Sequence, residues 1–341
     1  MALAAVSGVW ALGVLLRVSR VSADLIGARG TKVGYSLYLL LEPVVPFLWP
    51  AVITRWFGRD LAATAPRPAR VYTDLPVAPN GRELTLAAHD ITVRFGGNVA
   101  VSGVSLEVGR DEIVGLIGTN GAGKSTLMNA IGGYVPSTGR IELLGRSIES
   151  LGSPARAGIG LGRTFQAATL FPELTVRECV QVALEGRHRS SFARSALFLD
   201  MASERRMRRE ADELIDFLGL GRYADSFVSD LSTGTRRIVE LSGLLAVDAD
   251  VLCLDEPTAG VAQRETEAFG PLIQEIRREM GASMLIIEHD MPLIMSISDR
   301  VYCLEAGSVI AEGDPASVRN DPLVIASYLG TDERAIARSD S

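Results

Sequence analysis

The apolar positions of this chain follow two different patterns. Residues 1–16 and 33–53 are nearly continuous apolar runs, whereas from about position 82 onward apolar residues fall into short segments separated by polar turns. In that second region, alternating apolar and polar positions predict two half-buried strands, at 83–95 and 101–108. Short and almost entirely apolar runs predict three further strands buried on both faces, at 112–118, 251–255 and 283–287.

Two segments have the apolar spacing of helices. Residues 125–133 directly follow the first buried strand, and residues 238–247 precede the second. Because buried strands alternate with helices, the chain from about residue 82 is predicted to form an α/β domain around a mostly parallel sheet. The carboxyl ends of parallel strands meet at one edge of such a sheet, so polar residues that follow these strands are expected to lie together.

The amino-terminal region is both apolar and basic. Residues 1–70 contain eight basic and three acidic side chains, a net charge of +5, while the whole chain has a formal charge of −7. Neither apolar run is an ordinary spanning helix, because the first is short and the second contains Glu42 and three prolines. We interpret residues 1–58 as a membrane-associated extension, with a single span, an interfacial segment and a buried apolar extension as alternatives. The Pro- and Ala-rich residues 59–81 are predicted to be a linker.

Composition narrows the classes of function. The acidic net charge argues against nucleic acid as a partner, because contacts to phosphates require a basic surface. The three cysteines, Cys179, Cys253 and Cys303, are far apart and have no metal-ligand spacing. Neither a disulfide scaffold nor a structural zinc site is therefore expected, and each cysteine is predicted to be a small buried apolar residue.

A glycine-rich segment follows the buried strand at 112–118. Its sequence GTNGAGKST matches G-x-x-x-x-G-K-[ST], a pattern in which backbone N–H groups and a helix start surround phosphate oxygens. Lysine occurs at only two positions in the chain, Lys32 and Lys124, and the second supplies a compact charge to the β- and γ-phosphates. The segment predicts a nucleoside triphosphate site at Gly118, Thr119, Asn120, Gly121, Ala122, Gly123, Lys124, Ser125 and Thr126.

Acidic and basic side chains follow the other two buried strands. Asp255 and Glu256 come after the apolar run VLCL, and His289 lies near the end of SMLIIEHD. An aspartate beside the phosphate loop can hold Mg²⁺ through water, and a neighbouring glutamate can orient or deprotonate the attacking water. His289 is placed to reach a γ-phosphate. Together with the glycine-rich loop, these residues predict a site that cleaves a phosphate bond.

The sequence LSTGT at 231–235 lies just before a helical pattern. Ser232, Thr233 and Gly234 are therefore expected at a helix N-terminus, which attracts anions through its free N–H groups and its dipole. An ordinary helix cap, which serine and threonine commonly provide, explains the same residues. On these residues alone both interpretations stay open.

The order of these motifs over residues 82–330 resembles the ATP-binding cassette family, the nucleotide-binding subunits of ABC transporters. The resemblance implies a P-loop NTPase fold with a mostly parallel, RecA-like sheet, an antiparallel β subdomain and a helical subdomain at about 167–245. It leaves residues 331–341 as a carboxyl-terminal tail. It also implies ATP and Mg²⁺ as cofactors and ATP hydrolysis as the reaction.

The resemblance gives each motif residue a role. Besides the loop at 118–126, it implies nucleotide contacts from an adenine-stacking aromatic and from the signature motif LSTGT, at Phe95, Ser232 and Gly234. It implies magnesium ligands at Ser125, Gln166 and Asp255. It implies catalytic contributions, with Glu256 polarising the attacking water, from Lys124, Gln166, Glu256 and His289.

Within the family, the stretches FGGNVAVSGVSLEV, LFPELTVRECV and VIAEGDPASVRNDPLVIASYLG are similar to the ATPases of branched-chain amino-acid importers. This similarity implies an ATPase at the cytoplasmic face of the plasma membrane, with residues 1–58 as a candidate anchor. The implied partners are a second cassette in a homo- or heterodimer, permease subunits and, indirectly, an extracytoplasmic solute-binding protein. The alternative is a non-transport cassette ATPase that acts on ribosomes or DNA-repair complexes. The single cassette, the acidic charge and the apolar amino terminus favour transport.

Two positions depart from the common family pattern. The signature reads LSTGT rather than LSGGQ, so Thr235 stands where a glutamine side chain is usual. In TAGVAQ, Ala262 stands where many members have Asp or Asn. The second departure affects the segment through which paired cassettes are expected to communicate.

Overall fold

The computed structural model describes Tyr72 and residues 75–164, 170–187 and 201–328, except for the side chains of 201–204, 263–265 and 267. The chain divides into two units, 1–69 and 70–341, and every described residue belongs to the second. The predicted extension, most of the predicted linker, Gln166 and the tail at 331–341 lie outside the described residues. Among the helices that are described, none combines the length and the apolar character that crossing a membrane would require.

The described residues form strands and helices that alternate through most of the domain. The strands are β1 Leu84–Phe95, β2 Asn98–Gly109, β3 Ile113–Gly118, β4 Thr138–Leu143, β5 Arg146–Ser147, β6 Leu161–Arg163, β7 Val251–Asp255, β8 Ser283–Ile287, β9 Arg300–Glu305 and β10 Ser308–Gly313. The helices are α1 Lys124–Ile131, α2 Ser153–Gly158, α3 Val176–Arg187, α4 Met201–Phe217, α5 Thr233–Ala246, α6 Gln263–Met280, α7 Met291–Ile297, α8 Pro315–Arg319 and α9 at 322–328.

The strands assemble into two sheets. One is antiparallel, with the order β2-β1-β4-β5. The other has the order β10-β9-β3-β8-β7-β6 and is parallel except for its edge strand β10. The predicted α/β fold with a mostly parallel core sheet and an antiparallel β part is therefore confirmed.

The strands predicted to be buried on both faces are β3, β7 and β8, and every residue of each is buried. They lie in the interior of the parallel sheet, where hydrophobic clusters cover both faces. One cluster contains Ile117 and Leu254, and the other contains Leu116 and Cys253. Successive side chains of one strand thus pack into different clusters. Both faces of the strand need apolar residues, so its sequence is a continuous apolar run.

The prediction of a half-buried strand is wrong for the first part of β1, where five consecutive residues from Leu84 are buried. Leu86 and Ala88 pack into a core cluster, whereas Leu84 and Ala87 pack against Ala78. Ala78 belongs to a turn at 75–81, a segment assigned by sequence to the linker, and Val77 pairs with Glu83 in an isolated antiparallel bridge. This turn covers the face of β1 that the sequence pattern leaves exposed.

Helices α3, α4 and α5 pack together within the region assigned to the helical subdomain. Their shared interface contains Val180, Leu184 and Leu214 together with Leu241 and Leu245. Val180 and Leu184 of α3, and Leu241 and Leu245 of α5, are each four residues apart, so each pair lies on one face of its helix. The packing orients the N-terminus of α5, where Ser232 lies.

Candidate active site

The strands β3, β7 and β8 bring their carboxyl ends to one edge of the parallel sheet. Ile287, the last residue of β8, is in register with Asp255 of β7 and with Leu116 of β3. The glycine-rich loop leaves β3 two residues after Leu116, and His289 is the second residue after the end of β8. The predicted loop, acids and histidine therefore converge, as the parallel arrangement requires.

Two glycines allow the loop to fold tightly against its neighbours. Gly118 has φ +144° and Gly123 has φ +100°, values that residues with a Cβ rarely adopt. A Cβ on Gly123 would also lie 2.5 Å from the carbonyl oxygen of Ala100 in β2. Phe95 is half-exposed at the end of β1, in the same hairpin as Ala100. The hairpin that contacts the loop thus also carries an exposed aromatic ring.

Lys124 begins helix α1, and its side chain is folded back into the loop. The Nζ atom donates hydrogen bonds to the carbonyl oxygens of Gly118 at 2.7 Å and Thr119 at 3.1 Å. Burial lowers the pKa of this ammonium group, and the carboxylates of Glu256 and Asp255 partly oppose that effect. Helix α1 has no side-chain cap at its start. The N–H groups of its first turn and the ammonium therefore suit a bound polyanion.

Asp255 is a buried carboxylate with two polar neighbours. Its Oδ1 atom lies 3.4 Å from the hydroxyl of Ser125, and its Oδ2 atom lies 3.4 Å from Nη2 of Arg163. Burial raises the pKa of Asp255, and the Arg163 guanidinium opposes that rise. Hydroxyl and carboxylate oxygens are the ligand types that Mg²⁺ prefers, so Ser125 and Asp255 fit this ion.

Glu256 and His289 form a hydrogen-bonded pair at the sheet edge, with 2.9 Å between Oε1 and Nε2. Glu256 has φ +51°, a left-handed conformation that is strained for a residue other than glycine. Its N–H donates to the carbonyl oxygen of Ile287 at 2.9 Å, which fixes this turn onto β8. A carboxylate held against an imidazole in this way can accept a proton from water.

Similarity to known proteins decides the family. A model described as ABC transporter matches residues 101–259, and one described as branched-chain amino acid ATP-binding cassette transporter matches residues 308–334. The high-affinity branched-chain amino acid transport ATP-binding protein LivG of Salmonella typhimurium is 40% identical over 253 residues, covering 72% of this chain and 97% of LivG. The corresponding protein BraF of Pseudomonas aeruginosa is 38% identical, with the same coverage. This chain belongs to the ABC transporter ATP-binding family.

Solved structures agree with this assignment. The ATP-binding cassette MJ1267 of an ABC transporter has a TM-score of 0.64 and 30% identity, covering 72% of this chain and 98% of MJ1267. Its ADP conformation gives a TM-score of 0.63 at 29% identity. The present chain is therefore an ATP-binding, ATP-hydrolysing cassette subunit, as its motifs predict.

The signature residues of the cassette lie at the start of helix α5. Ser232 is the N-cap, and its Oγ atom accepts a hydrogen bond from the N–H of Thr235 at 3.2 Å. Ser232 and Thr233 are exposed, whereas Gly234 is buried. Thr233 lies beside Gly260, in the loop that follows Glu256. Ser232 thus acts as an ordinary helix cap within this chain, and it also presents a helix N-terminus to solvent.

Two arginines outside the predicted set stabilise the carboxyl end of α1. Arg156 donates from Nη1 to the carbonyl oxygens of Ala130 at 2.7 Å and Ile131 at 2.6 Å. Arg163 donates from Nη1 to the carbonyl oxygen of Met128 at 2.9 Å. Cations at this end complement the helix dipole. The usual sequence signal for such a contact is a basic residue in the last turn of the helix itself. Helix α1 has none there, so the sequence does not point to either arginine.

Two further residues that the motif analysis does not select contact the active site. The hydroxyl of Tyr328 accepts a hydrogen bond from the N–H of Gly118 at 2.9 Å. The carboxylate of Glu288 accepts hydrogen bonds from the backbone of His289 and from Thr258. Tyr328 lies within the carboxyl-terminal stretch that carries the resemblance to importer ATPases, which is the one sequence signal that points to it.

Proposed function

We propose that this cassette powers the uptake of branched-chain amino acids or a related small solute, from the cytoplasmic face of the plasma membrane. The observation that carries the proposal is the extent of the similarity to LivG. It covers 97% of LivG, and a separate family model for branched-chain amino acid cassettes matches residues 308–334, outside the nucleotide-binding motifs. A match limited to the ATP site would support hydrolysis alone, because that site is shared by cassettes of many functions.

The proposed partners are a second cassette, the permease subunits and, indirectly, an extracytoplasmic solute-binding protein. We infer that ATP is clamped between the phosphate loop of one copy and Ser232 and Gly234 of another. The exposed N-terminus of α5 supports this inference, since it offers N–H groups to an anion from outside the chain. Residues 1–58 are the candidate for an additional membrane contact.

In the proposed reaction, water attacks the γ-phosphorus and ADP leaves. Lys124 binds the β- and γ-phosphates, Glu256 accepts the proton of the attacking water, and His289 holds Glu256 and reaches the γ-phosphate. Mg²⁺, when bound, supplies positive charge that neutralises phosphate oxygens. Ser125 and Asp255 would hold it, and the family resemblance adds Gln166. Phe95 is proposed to stack on adenine, consistent with its half-exposed ring in the hairpin that contacts the loop.

The test is purification of the full chain from membranes together with its permease partners, followed by reconstitution into vesicles. We expect ATP-dependent uptake of labelled leucine, isoleucine or valine when the solute-binding protein is present. The matched control is the complex carrying Glu256→Gln, which should assemble and bind ATP but transport nothing. Co-purification with ribosomes in place of a permease, or uptake of neither these amino acids nor a related small solute, would contradict the proposal.

The location can be tested separately. Membrane fractions of cells that express the full chain with and without the permease should show whether residues 1–58 add binding of their own. Retention by membranes in the absence of the permease, lost on deletion of residues 1–58, is the result expected of an anchor.

A further inference from the structure

A buried carboxylate lies between the two turns that carry Glu256 and His289. Glu288 directly follows β8 and is 4% exposed. The donors that surround it are neutral backbone N–H groups and one hydroxyl. Burial of a charged carboxylate is costly, and hydrogen bonds to its oxygens must offset that cost. An apolar residue would fill the same space without it, so packing alone does not explain a glutamate here.

The two oxygens of Glu288 bind different parts of the chain. Oε1 accepts hydrogen bonds from the N–H of Thr258 at 2.9 Å and from its hydroxyl at 2.5 Å. Oε2 accepts from the N–H of His289 at 2.9 Å and from the N–H of Asp290 at 3.4 Å. One side chain therefore joins the turn after β7 to the turn after β8.

These are the turns that present the proposed catalytic pair. Thr258 lies two residues after Glu256, and His289 is the neighbour of Glu288 in sequence. Glu256 occupies a strained left-handed conformation, which persists only where the surroundings hold it. Thr258 also begins the segment that contains Gly260 and Ala262, beside Thr233 of the signature motif.

We propose that Glu288 is a positioning residue that sets the alignment of Glu256 with His289. The inference rests on the function proposed for that pair. It requires two separate acceptor oxygens, because the donors arrive from two directions. Glutamine has the same shape but only one acceptor oxygen, and its amide nitrogen would face N–H groups that it cannot bind. The Glu288→Gln variant should thus release one of the two turns without opening a cavity.

The experiment compares ATP hydrolysis, ATP binding and stability in the complete transporter carrying Glu288→Gln, Thr258→Val or a control change. For Glu288→Gln we expect kcat to fall about 10-fold or more, since small misplacements of catalytic groups have large effects on rate. The KM for ATP and the Kd of a non-hydrolysable analogue should change less than about 3-fold. Thr258→Val keeps its N–H bond, so its kcat should fall less.

The control is Glu112→Gln, which alters another buried glutamate at the amino end of β3, where Arg82 and Arg300 pair with it. It should lower the melting temperature but leave kcat unchanged. A structure-sensitive readout is the NMR signal of the His289 ring. The chain has only three histidines, so this signal can be assigned. That signal should shift in Glu288→Gln and stay in place in Glu112→Gln.

The outcomes separate two failures. If Glu256→Gln hydrolyses ATP normally, the function proposed for Glu256 is wrong. If Glu256→Gln is inactive but Glu288→Gln keeps the wild-type kcat, the positioning role alone is wrong. A loss of kcat that appears only together with lost ATP binding, or equally in Glu112→Gln, also overturns it, since a general loss of stability then explains the result.

Discussion

The hydroxyl of Tyr328 accepts a hydrogen bond from the N–H of Gly118, at 2.9 Å. Gly118 ends β3 and opens the phosphate loop, whereas Tyr328 lies 210 residues later, in α9. The same hydroxyl lies 3.9 Å from the sulfur of Met291, the first residue of the helix after His289. The carboxyl-terminal segment therefore contacts both the phosphate loop and the helix that follows His289.

Replacement of Tyr328 by Phe should weaken ATP binding. The change leaves the N–H of Gly118 without its acceptor, and a buried unsatisfied donor costs about 1–3 kcal/mol. We expect part of this cost, about 0.7–1.4 kcal/mol, to appear in ATP binding, so that the Kd for ATP rises about 3- to 10-fold in equilibrium titration with a fluorescent nucleotide. Tyr302→Phe is the control, because it removes a phenol that hydrogen-bonds Arg300 and the N–H of Glu107 instead. Equal ATP affinity in the two variants would contradict the role of Tyr328.

Glu256→Gln should abolish turnover but preserve ATP binding. The amide keeps the size of the side chain and loses the proton acceptor, which is expected to reduce kcat by about 100-fold or more. Lys124→Ala should lose both activities, since it removes the ammonium group that lies among the loop carbonyls. Steady-state hydrolysis and nucleotide titration of the two variants distinguish these effects. Normal hydrolysis by Glu256→Gln would count against Glu256 as the base.

Arg163→Met should destabilise the fold by about 3 kcal/mol, because breaking a buried ion pair leaves an uncompensated charge on Asp255. The pKa of Asp255 is already raised by burial, and loss of the guanidinium raises it further. The folded state then holds this proton more tightly than the unfolded state does. Stability should therefore fall as pH rises through the folded pKa, and more steeply in the variant than in the wild type.

Denaturant titrations at pH 5 and pH 8 would measure this effect. The matched variant is Arg163→Met combined with Asp255→Asn, which removes the uncompensated charge together with its partner. It should recover much of the lost stability at pH 8. A double variant as unstable as Arg163→Met would show that the hydrogen bond to Met128 and the stacking on Tyr134, rather than the ion pair, dominate.

Ala262→Asp should stabilise the protein. Ala262 occupies the N-cap position of α6 and provides no side-chain hydrogen bond there. An aspartate cap contributes about 1 kcal/mol, which corresponds to a rise of about 2–4 °C in melting temperature for a domain of this size. Differential scanning calorimetry would measure it. Asp314→Ala, which removes an existing cap from α8, should shift the melting temperature in the opposite direction.

The three cysteines should resist thiol reagents until the protein unfolds. Burial raises the pKa of Cys253 to about 12 and that of Cys303 to about 11, and it also raises the pKa of Cys179. At pH 8, a thiol with a pKa near 11 has about a hundredth of the thiolate of an ordinary one. We expect no rapid reaction with Ellman's reagent in the native protein and three reactive thiols in guanidinium chloride.

The same thiols affect stability in alkaline solution. The folded state retains thiol protons that the unfolded chain releases above about pH 9, so stability should fall as pH rises beyond that value. Replacing buried Cys303 by Ala should reduce the slope. A native thiol that reacts within seconds at pH 8 would contradict the burial of that side chain.

The strands that carry the active site could be predicted because their burial is complete. A run such as VLCL has no polar position, which is possible only for a strand covered on both faces. The short strand β6 gave no signal, since three residues are too few to show a period. Burial of β1 was mispredicted because its outer face is covered by the turn at 75–81, whose own sequence is typical of a linker.

In the candidate active site, the residues predicted from sequence are those whose proposed chemistry depends on their immediate neighbours. The phosphate loop needs glycines and a lysine at set positions, and Asp255 and Glu256 need only the strand before them. Arg163, Glu288 and Tyr328 show no such pattern. Each acts through hydrogen bonds or ion pairs to residues distant in sequence, apart from the contacts of Glu288 to its own neighbours.

The amino-acid order alone predicts where this protein binds a triphosphate, because backbone conformation, charge and strand burial are local properties of residues 112–126, 251–256 and 283–289. It also indicates the family, since the motifs occur in the family's order. The pairing of Glu256 with His289 and the contact of Tyr328 with Gly118 arise only when the sheet forms. Strand order and register set those distances, and they follow from packing of the whole domain rather than from any single segment.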